Sequence, residues 1–179
     1  MKQVLFIAYW FPPYGGGGVQ RTTKFLKYLP SYDWQGIVLT GRARSRQVDE
    51  SLYDDIPANT QIERARGLIL PRRPSRLHQW LTTWILTVDA ELGWLPAAVQ
   101  RGAKILHCGG CKMLYSTSAP YTDHLVGLRL KERFQLPWVA DFRDPWTQNI
   151  SDLFPTRFHR RIGERLEAAV VAKADRDCG

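Results

Sequence analysis

The sequence predicts an α/β fold, a Rossmann-like doubly wound parallel sheet, and three observations carry that expectation. An apolar N-terminal run (VLFIAYW) ends in two prolines, breaks into four glycines and resumes in residues that suit a helix, the order strand, loop, helix. Short apolar runs with β-branched residues then alternate with amphipathic stretches at helical spacing, which is the pattern of βαβ units. The length of 179 residues suits one domain with a full hydrophobic core and is short for two, so residues 1–179 are read as a single domain.

The elements follow in chain order. Residues 19–29 place Val19, Thr22, Thr23, Leu26 and Leu29 on one side at helical spacing, with Arg21, Lys24 and Lys27 elsewhere, and Pro30 ends the helix. Residues 34–40, WQGIVLT, read as the second strand, and a crossover of this kind requires a parallel sheet with helices on its faces. Residues 41–75 are broken by Pro57, Pro71 and Pro74 and read as surface loop with one strand near 61–64. Residues 76–86 interleave basic residues with Trp80 and Trp84 in an amphipathic helix pattern that either packs on the sheet or lies against lipid headgroups, with His78 at the surface. A turn and a short helix starting near Pro96 lead to a strand at 112–116, a helix at 122–134 and a strand at 138–142. The amphipathic helix at 159–174 carries Ile162, Leu166, Ala169 and Val170 at core spacing and Arg160, Arg161, Glu164 and Arg165 outside. No strand is expected after it, and an open α/β domain that stops at a helix suggests a fragment.

Composition narrows the function. With 44% hydrophobic and 23% charged residues the chain has ordinary globular character, while a net charge of +8 favours acidic partners: nucleic acid, an anionic membrane or a phosphorylated ligand. No RNP, KH or helix-turn-helix signature is present, so nucleic acid is set aside. Arg42, Arg44 and Arg46 are either a solvated loop or a seat for phosphate or anionic lipid. The three cysteines (Cys108, Cys111, Cys178), with no signal peptide, fit a reducing, cytoplasmic setting. Cys108-Gly-Gly-Cys111 is an isolated CxxC lacking the remaining ligands of a structural zinc site, so it reads as a small-residue turn and no metal is expected. No run of about 18 apolar residues occurs, which argues against a spanning helix; any membrane contact would be at the surface.

The chemistry is expected where strands end. Gly15, Gly16, Gly17 and Gly18 follow the first strand and open a helix, where backbone N–H groups and the helix dipole suit a phosphate; a flexible turn is the alternative. The spacing is neither GxGxxG nor a Walker A loop. Ser118, Ala119 and Pro120 follow the 112–116 strand, and Asp141, Arg143, Asp144 and Trp146 follow the 138–142 strand. Ligands of doubly wound sheets gather beyond the carboxyl ends of the strands, so the three turns could face one crevice.

Three blocks in order, FPPYGGGGVQR with KFLKYLP, then GWLPAAV, then WVADFRDPW, resemble the N-terminal domain of the family 4 glycosyltransferases of the GT-B fold. The likeness is strongest to the branch with an FPP-GG-QR opening and a DFRDPW turn, often linked to polysaccharide or lipopolysaccharide assembly, and it covers nearly the whole chain. It implies retaining transfer of a sugar from a nucleotide-sugar donor to a glycan or lipid-linked acceptor, with two Rossmann-like domains closing over the substrates. The N-terminal domain would bind the acceptor, and Gly15, Gly16, Gly17 and Gly18 would face the donor phosphates. Arg143 or Asp144 falls near the turn where relatives often carry an active-site histidine, which this chain lacks there; Arg21, Ser118, Pro120, Asp141 and Trp146 would line the cleft. Backbone donors and arginines would stabilise the leaving diphosphate, with no cofactor or metal. The principal donor-binding residues, including glutamates in an E-x7-E arrangement, belong to a C-terminal domain that these 179 residues do not supply, so the chain alone is expected to be inactive. A cytoplasmic protein, peripheral at the inner face of an anionic membrane, fits the likeness. A free-standing nucleotide or phosphosugar-binding module is the alternative.

Overall fold

The structure, a computed structural model, describes residues 1–42, 48–67, 88–89, 91–148, 154 and 156–178. The stretch at 76–86, Arg44 and Arg46 lie outside the described residues.

The N-terminal apolar run forms strand β1 (Lys2–Ile7), in which Val4, Leu5, Phe6 and Ile7 are all buried. A strand apolar on both faces belongs inside a sheet covered on both sides. The remaining elements are helix α1 (Gly17–Tyr28), strands β2 (Trp34–Gly41) and β3 (Gln61–Ala65), helix α2 (Leu95–His107), strand β4 (Cys111–Thr117), helix α3 (Thr122–Phe134), strand β5 (Trp138–Asp141), helix α4 (Arg157–Lys173) and strand β6 (Arg176–Cys178). All neighbouring strands pair parallel, in the order β3-β2-β1-β4-β5-β6. Leu5 stands opposite Ile37 of β2 and Leu114 of β4. The chain winds outward from β1 to β3, returns through α2 to β4 and winds the other way, so the order reverses between β1 and β4. A crevice opens at such a point, beyond the carboxyl ends of the two strands.

Alternation along the strands divides the core. Leu5, Ile7, Ile37, Leu39 and Leu114 meet Ala98 and Leu106 of α2 and Leu125 and Leu130 of α3 on one face. Val4, Phe6, Val38 and Tyr115 meet Leu26 of α1 on the other. Trp138, fully buried in β5, is anchored by its indole N–H to Ser116 Oγ at 2.9 Å. Gly127 of α3 leaves room for that indole: a Cβ there would lie 2.7 Å from three of its atoms.

One expectation is overturned. The chain does not stop at its last helix: β6 follows α4 and adds a sixth strand beside β5, with Val139 opposite Arg176. Asp175 fixes the entry, its N–H donating to Trp138 O at 2.9 Å and its Oδ2 accepting from Trp138 N–H at 2.8 Å. A three-residue, polar edge strand has no apolar alternation to reveal it, and polar edges are how sheets discourage further pairing. The first helix ends at Tyr28, just before Pro30 as expected, and the chain passes into a 3-10 turn (Leu29–Tyr32) that Asp33 closes at φ 62°. Among the described residues no helix is long and apolar enough to cross a membrane.

Because Trp138 is anchored and buried, Gly127→Ala is expected to destabilise the fold by about 1–3 kcal/mol despite alanine's better helix propensity. Urea denaturation checks this; an unchanged or higher midpoint would contradict the close contact.

Candidate functional site

After β1 the chain passes through Ala8 and an aromatic loop, held by the Asp49 N–H donating to Pro13 O at 2.8 Å, and reaches the glycines. Gly16 adopts φ +130°, a conformation that side chains resist, and stands at the N-cap of α1. No side chain caps this helix and no acidic residue occupies its first turn. The partial positive charge of its leading N–H groups is therefore left for another anion. Gly18, in the first turn, lies directly beneath the Arg143 guanidinium: a Cβ there would fall 1.5 Å from Nη1.

Arg143 joins the three turns. Its Nε donates to Ser118 O, its Nη2 to Ala119 O at 3.1 Å, and its backbone N–H to Ser118 Oγ at 3.3 Å. The guanidinium is held flat across the glycine loop by the turn after β4, and its position follows from the backbone around it.

Behind this surface Asp141, buried at the end of β5, collects donors from two elements. Arg21 of α1 binds it in a bidentate fork, Nε to Oδ2 at 3.0 Å and Nη2 to Oδ1 at 2.9 Å, while Tyr115 Oη and Thr117 Oγ1 of β4 donate to Oδ2. The hydrogen bond to Asp141 raises the Arg21 pKa, and burial, then the carboxylate, raises that of Tyr115. Trp146, buried, stacks on Tyr121 with ring centroids 4.9 Å apart, and Tyr121 Oη donates to Pro145 O at 2.9 Å. Pro120 is buried and its carbonyl accepts the Asp123 N–H at 3.2 Å, opening α3. Asp144 is exposed.

A cavity of about 270 Å³ lies over the glycine loop, lined by Ala8, Trp10, Gly15, Gly16, Gly18, Val19, Thr117, Ala119, Asp123 and Arg143. Four of the residues expected at the site, Gly15, Gly16, Gly18 and Arg143, line it directly. Gly17, Arg21, Ser118, Pro120, Asp141, Asp144 and Trp146 are not among its lining residues.

Sequence reasoning missed Asp123. Its Oδ2 accepts the Tyr9 N–H at 2.9 Å, while Oδ1, buried, has no partner among the described residues. Burial pushes this carboxyl well above the usual carboxylate range. The neighbouring Asp89 caps α3, accepting from the Thr122 N–H at 2.8 Å and its hydroxyl at 2.6 Å, and burial raises its pKa too. His124, fully buried between Phe142 and Ser116, is driven down to about 3 by desolvation. The signal for Asp123 was present: with Val126 and Leu130 it occupies positions i, i+3 and i+7 of a core-facing stripe, where a charged residue needs a reason.

Among the described residues no group of three or more histidines, cysteines or carboxylates could hold a metal. Cys108 is exposed while Cys111 is buried in the core, its thiol pushed up to about 11 by burial. Gly109 and Gly110 between them, at φ +78° and +97°, make the turn from α2 to β4.

No protein-family model and no curated protein sequence matches the chain. Solved structures do. A sucrose-phosphate synthase from Thermosynechococcus elongatus superposes with a TM-score of 0.62 at 14% identity, over 99% of this chain and 42% of that one. The likeness is one of fold. A UDP-N-acetylglucosamine 2-epimerase assignment from Listeria monocytogenes follows with a TM-score of 0.56 at 13% identity, over 98% of this chain and 38% of its own. Phytolacca americana UGT2, complexed with UDP-2-fluoro-glucose and pterostilbene, gives 0.53 at 12% identity, over 79% and 30%. The chain thus has the Rossmann-like α/β domain of the GT-B architecture and spans less than half of each of these proteins. At such identities the fold is shared and the chemistry must be argued from the site.

The two buried groups give stability opposite dependences on pH. The raised pKa of Asp123 contributes stability that is full below its unfolded value near 3.8 and is lost as pH rises. The depressed pKa of His124 contributes stability that is full above 6.5 and is lost as pH falls toward 3. In urea denaturation across pH 3 to 7, Asp123→Asn should gain on the wild type as pH rises, and His124→Gln should flatten the loss between 6.5 and 3. Parallel pH profiles for all three proteins would contradict these burials.

Proposed function

We propose that the chain is the N-terminal, acceptor-side half of a retaining family 4 glycosyltransferase, transferring a sugar from a nucleotide-sugar to a polysaccharide or lipid-linked acceptor. The observation that carries this reading is the cavity where the strand order reverses: an uncapped helix N-terminus on a glycine floor, Arg143 held across it, and in its lining Asp123, one of whose carboxyl oxygens is buried without a partner among the described residues. The first two suit the diphosphate of a donor. The third suits a sugar hydroxyl, which can satisfy Oδ1 whether or not the carboxyl is protonated.

In the proposed reaction the bond between the anomeric carbon and the nucleoside diphosphate breaks and a bond to the acceptor hydroxyl oxygen forms, with retention, the hydroxyl proton passing to the leaving diphosphate. Negative charge develops on the leaving diphosphate. The leading N–H groups of α1 and the Arg143 guanidinium, fixed before reaction, stabilise that charge without reorganising. A second domain would close the cavity from the opposite side and bring most donor contacts, and an anionic inner membrane face would present a lipid-linked acceptor. The neighbours favour a nucleotide-sugar in kind: UGT2 is complexed with UDP-2-fluoro-glucose, and the SsfS6 glycosyltransferase of Streptomyces sp. SF2575, with a TM-score of 0.50, with thymidine diphosphate.

Gly18→Ala tests this without threatening the fold, because the atom its Cβ meets is the far end of a flexible side chain. Calorimetric titration with UDP-, GDP- and TDP-sugars should show binding of at least one, weakened about tenfold or more by Gly18→Ala, which displaces Arg143. Turnover should be absent from the chain by itself. Failure of all three donors to bind, or equal affinity in the variant, would overturn the proposal. Binding without transfer in a longer chain that carries a second domain would instead favour a free-standing binding module.

A further inference from the structure

A second cavity lies at the same carboxyl end of the strands, displaced to the β3 edge of the sheet. It has a volume of about 320 Å³ and is lined by Arg42, Arg64, Ala65, Arg66, Ala97, Gln100, Arg101 and Lys104. Arg42 follows the last residue of β2, Arg64 and Ala65 end β3 and Arg66 follows them. Ala97, Gln100, Arg101 and Lys104 recur at i, i+3, i+4 and i+7 along one face of α2. No residue is shared with the cavity over the glycine loop.

Five of these side chains are cations, and their compensation is sparse. Arg101 is taken by Glu63, its Nε donating to Oε2 at 2.8 Å. Arg64 is held by neutral oxygens, donating from Nη2 to Pro12 O and to Tyr53 Oη at 3.4 Å, and has no ion-pair partner among the described residues. Arg42, Arg66 and Lys104 have no ion-pair or hydrogen-bond partner among the described residues. Cations gathered around one hollow repel one another, and a multiply charged anion seated among them removes that repulsion. Guanidinium forks match phosphate oxygens two at a time, and a lysine adds a mobile point charge. The described lining contains no aromatic side chain, and so no stacking platform of the kind by which proteins hold single-stranded nucleic acid.

We propose that this basic crevice between β3 and α2 binds a multiply charged phosphate group, carried by a soluble phosphate ester or by a lipid headgroup. The inference rests on the charge and shape of the crevice and stands independently of the proposed transferase role. Arg66, just after β3, and Lys104 of α2 both line the crevice without partners among the described residues and are the gripping pair; Arg64 and Arg101 supply further positive charge.

Calorimetric titration of the chain with inorganic pyrophosphate tests it. Saturable, salt-sensitive binding is expected, weakened about tenfold or lost in R66A/K104A. Removing two exposed cations of α4, in R161A/K173A, lowers net charge equally and should leave the affinity unchanged. Pyrophosphate can also seat over the glycine loop, so the titrations are repeated in a Gly18→Ala background, where the binding and its loss in R66A/K104A should persist, which separates this crevice from the cavity over the glycine loop. Co-sedimentation with phosphatidylcholine vesicles containing phosphatidic acid, lost in R66A/K104A, would identify a lipid source. Pyrophosphate binding without such co-sedimentation would identify a soluble one. Absence of saturable binding, equal weakening in the two double variants, or binding of a single-stranded oligonucleotide that pyrophosphate cannot displace would overturn the proposal.

Discussion

The carboxylate of Asp141 sits buried at the end of β5 and accepts from the Arg21 fork, the Tyr115 hydroxyl and the Thr117 hydroxyl. These donors come from α1 and β4, so one side chain fixes the helix that carries the glycine loop against the strands on the far side of the crevice. A buried carboxylate is costly unless paired and hydrogen-bonded throughout, and here both oxygens are engaged. Arg21 is itself half exposed, so solvent screens part of its attraction; the two hydroxyls, inside the fold, set the geometry. With α1 held there, Gly18 comes beneath Arg143 and the uncapped N-terminus of α1 faces the space between them.

Arg143 and Asp123 meet that space under different constraints. Two guanidinium bonds, to Ser118 O and Ala119 O, hold the Arg143 side chain, its backbone N–H is tied to the Ser118 hydroxyl, and the absence of a side chain at Gly18 allows it to lie there. Asp123, part of the cavity lining, is anchored through one oxygen by Tyr9, and its other oxygen is buried without a partner among the described residues. Leaving a buried polar atom unpaired costs about 1–3 kcal/mol, and such atoms in a native fold usually await a partner. The flanking α3 residues add to the strain: His124 is kept neutral by burial, one residue from a carboxyl that burial keeps protonated well beyond its usual range.

Much of this was legible in the sequence because burial leaves a period. The strands at 34–40 and 138–142 and the helix at 122–134 were readable from alternation and helical spacing, and the structure shifts their ends by no more than a residue. β6 was not legible, because three polar edge residues are fixed by backbone pairing and by Asp175 alone. At the site, the glycine loop and the two later turns could be named because Gly, Pro and Ser punctuate the ends of strands. The roles within them could not. Arg21 and Asp141 look like two independent cleft residues until the fold brings them together across 120 positions of sequence. Asp123 hid among the leucines of α3, where only its place on the core-facing stripe marked it. Arg42 of the basic crevice stood out in the arginine-rich stretch after β2, but its partners Arg66, after β3, and Lys104 of α2 are brought to it only by the fold.

The account turns on whether the glycine-floored cavity is where a nucleotide-sugar binds. Amide chemical-shift mapping of the chain during titration with UDP-, GDP- and TDP-sugars addresses this most directly. The account predicts saturating shifts at Gly16, Gly18, Ala119, Asp123 and Arg143, with the β3 edge unmoved by the sugar. Shifts confined to other surfaces, or none with any of the three donors, would contradict it.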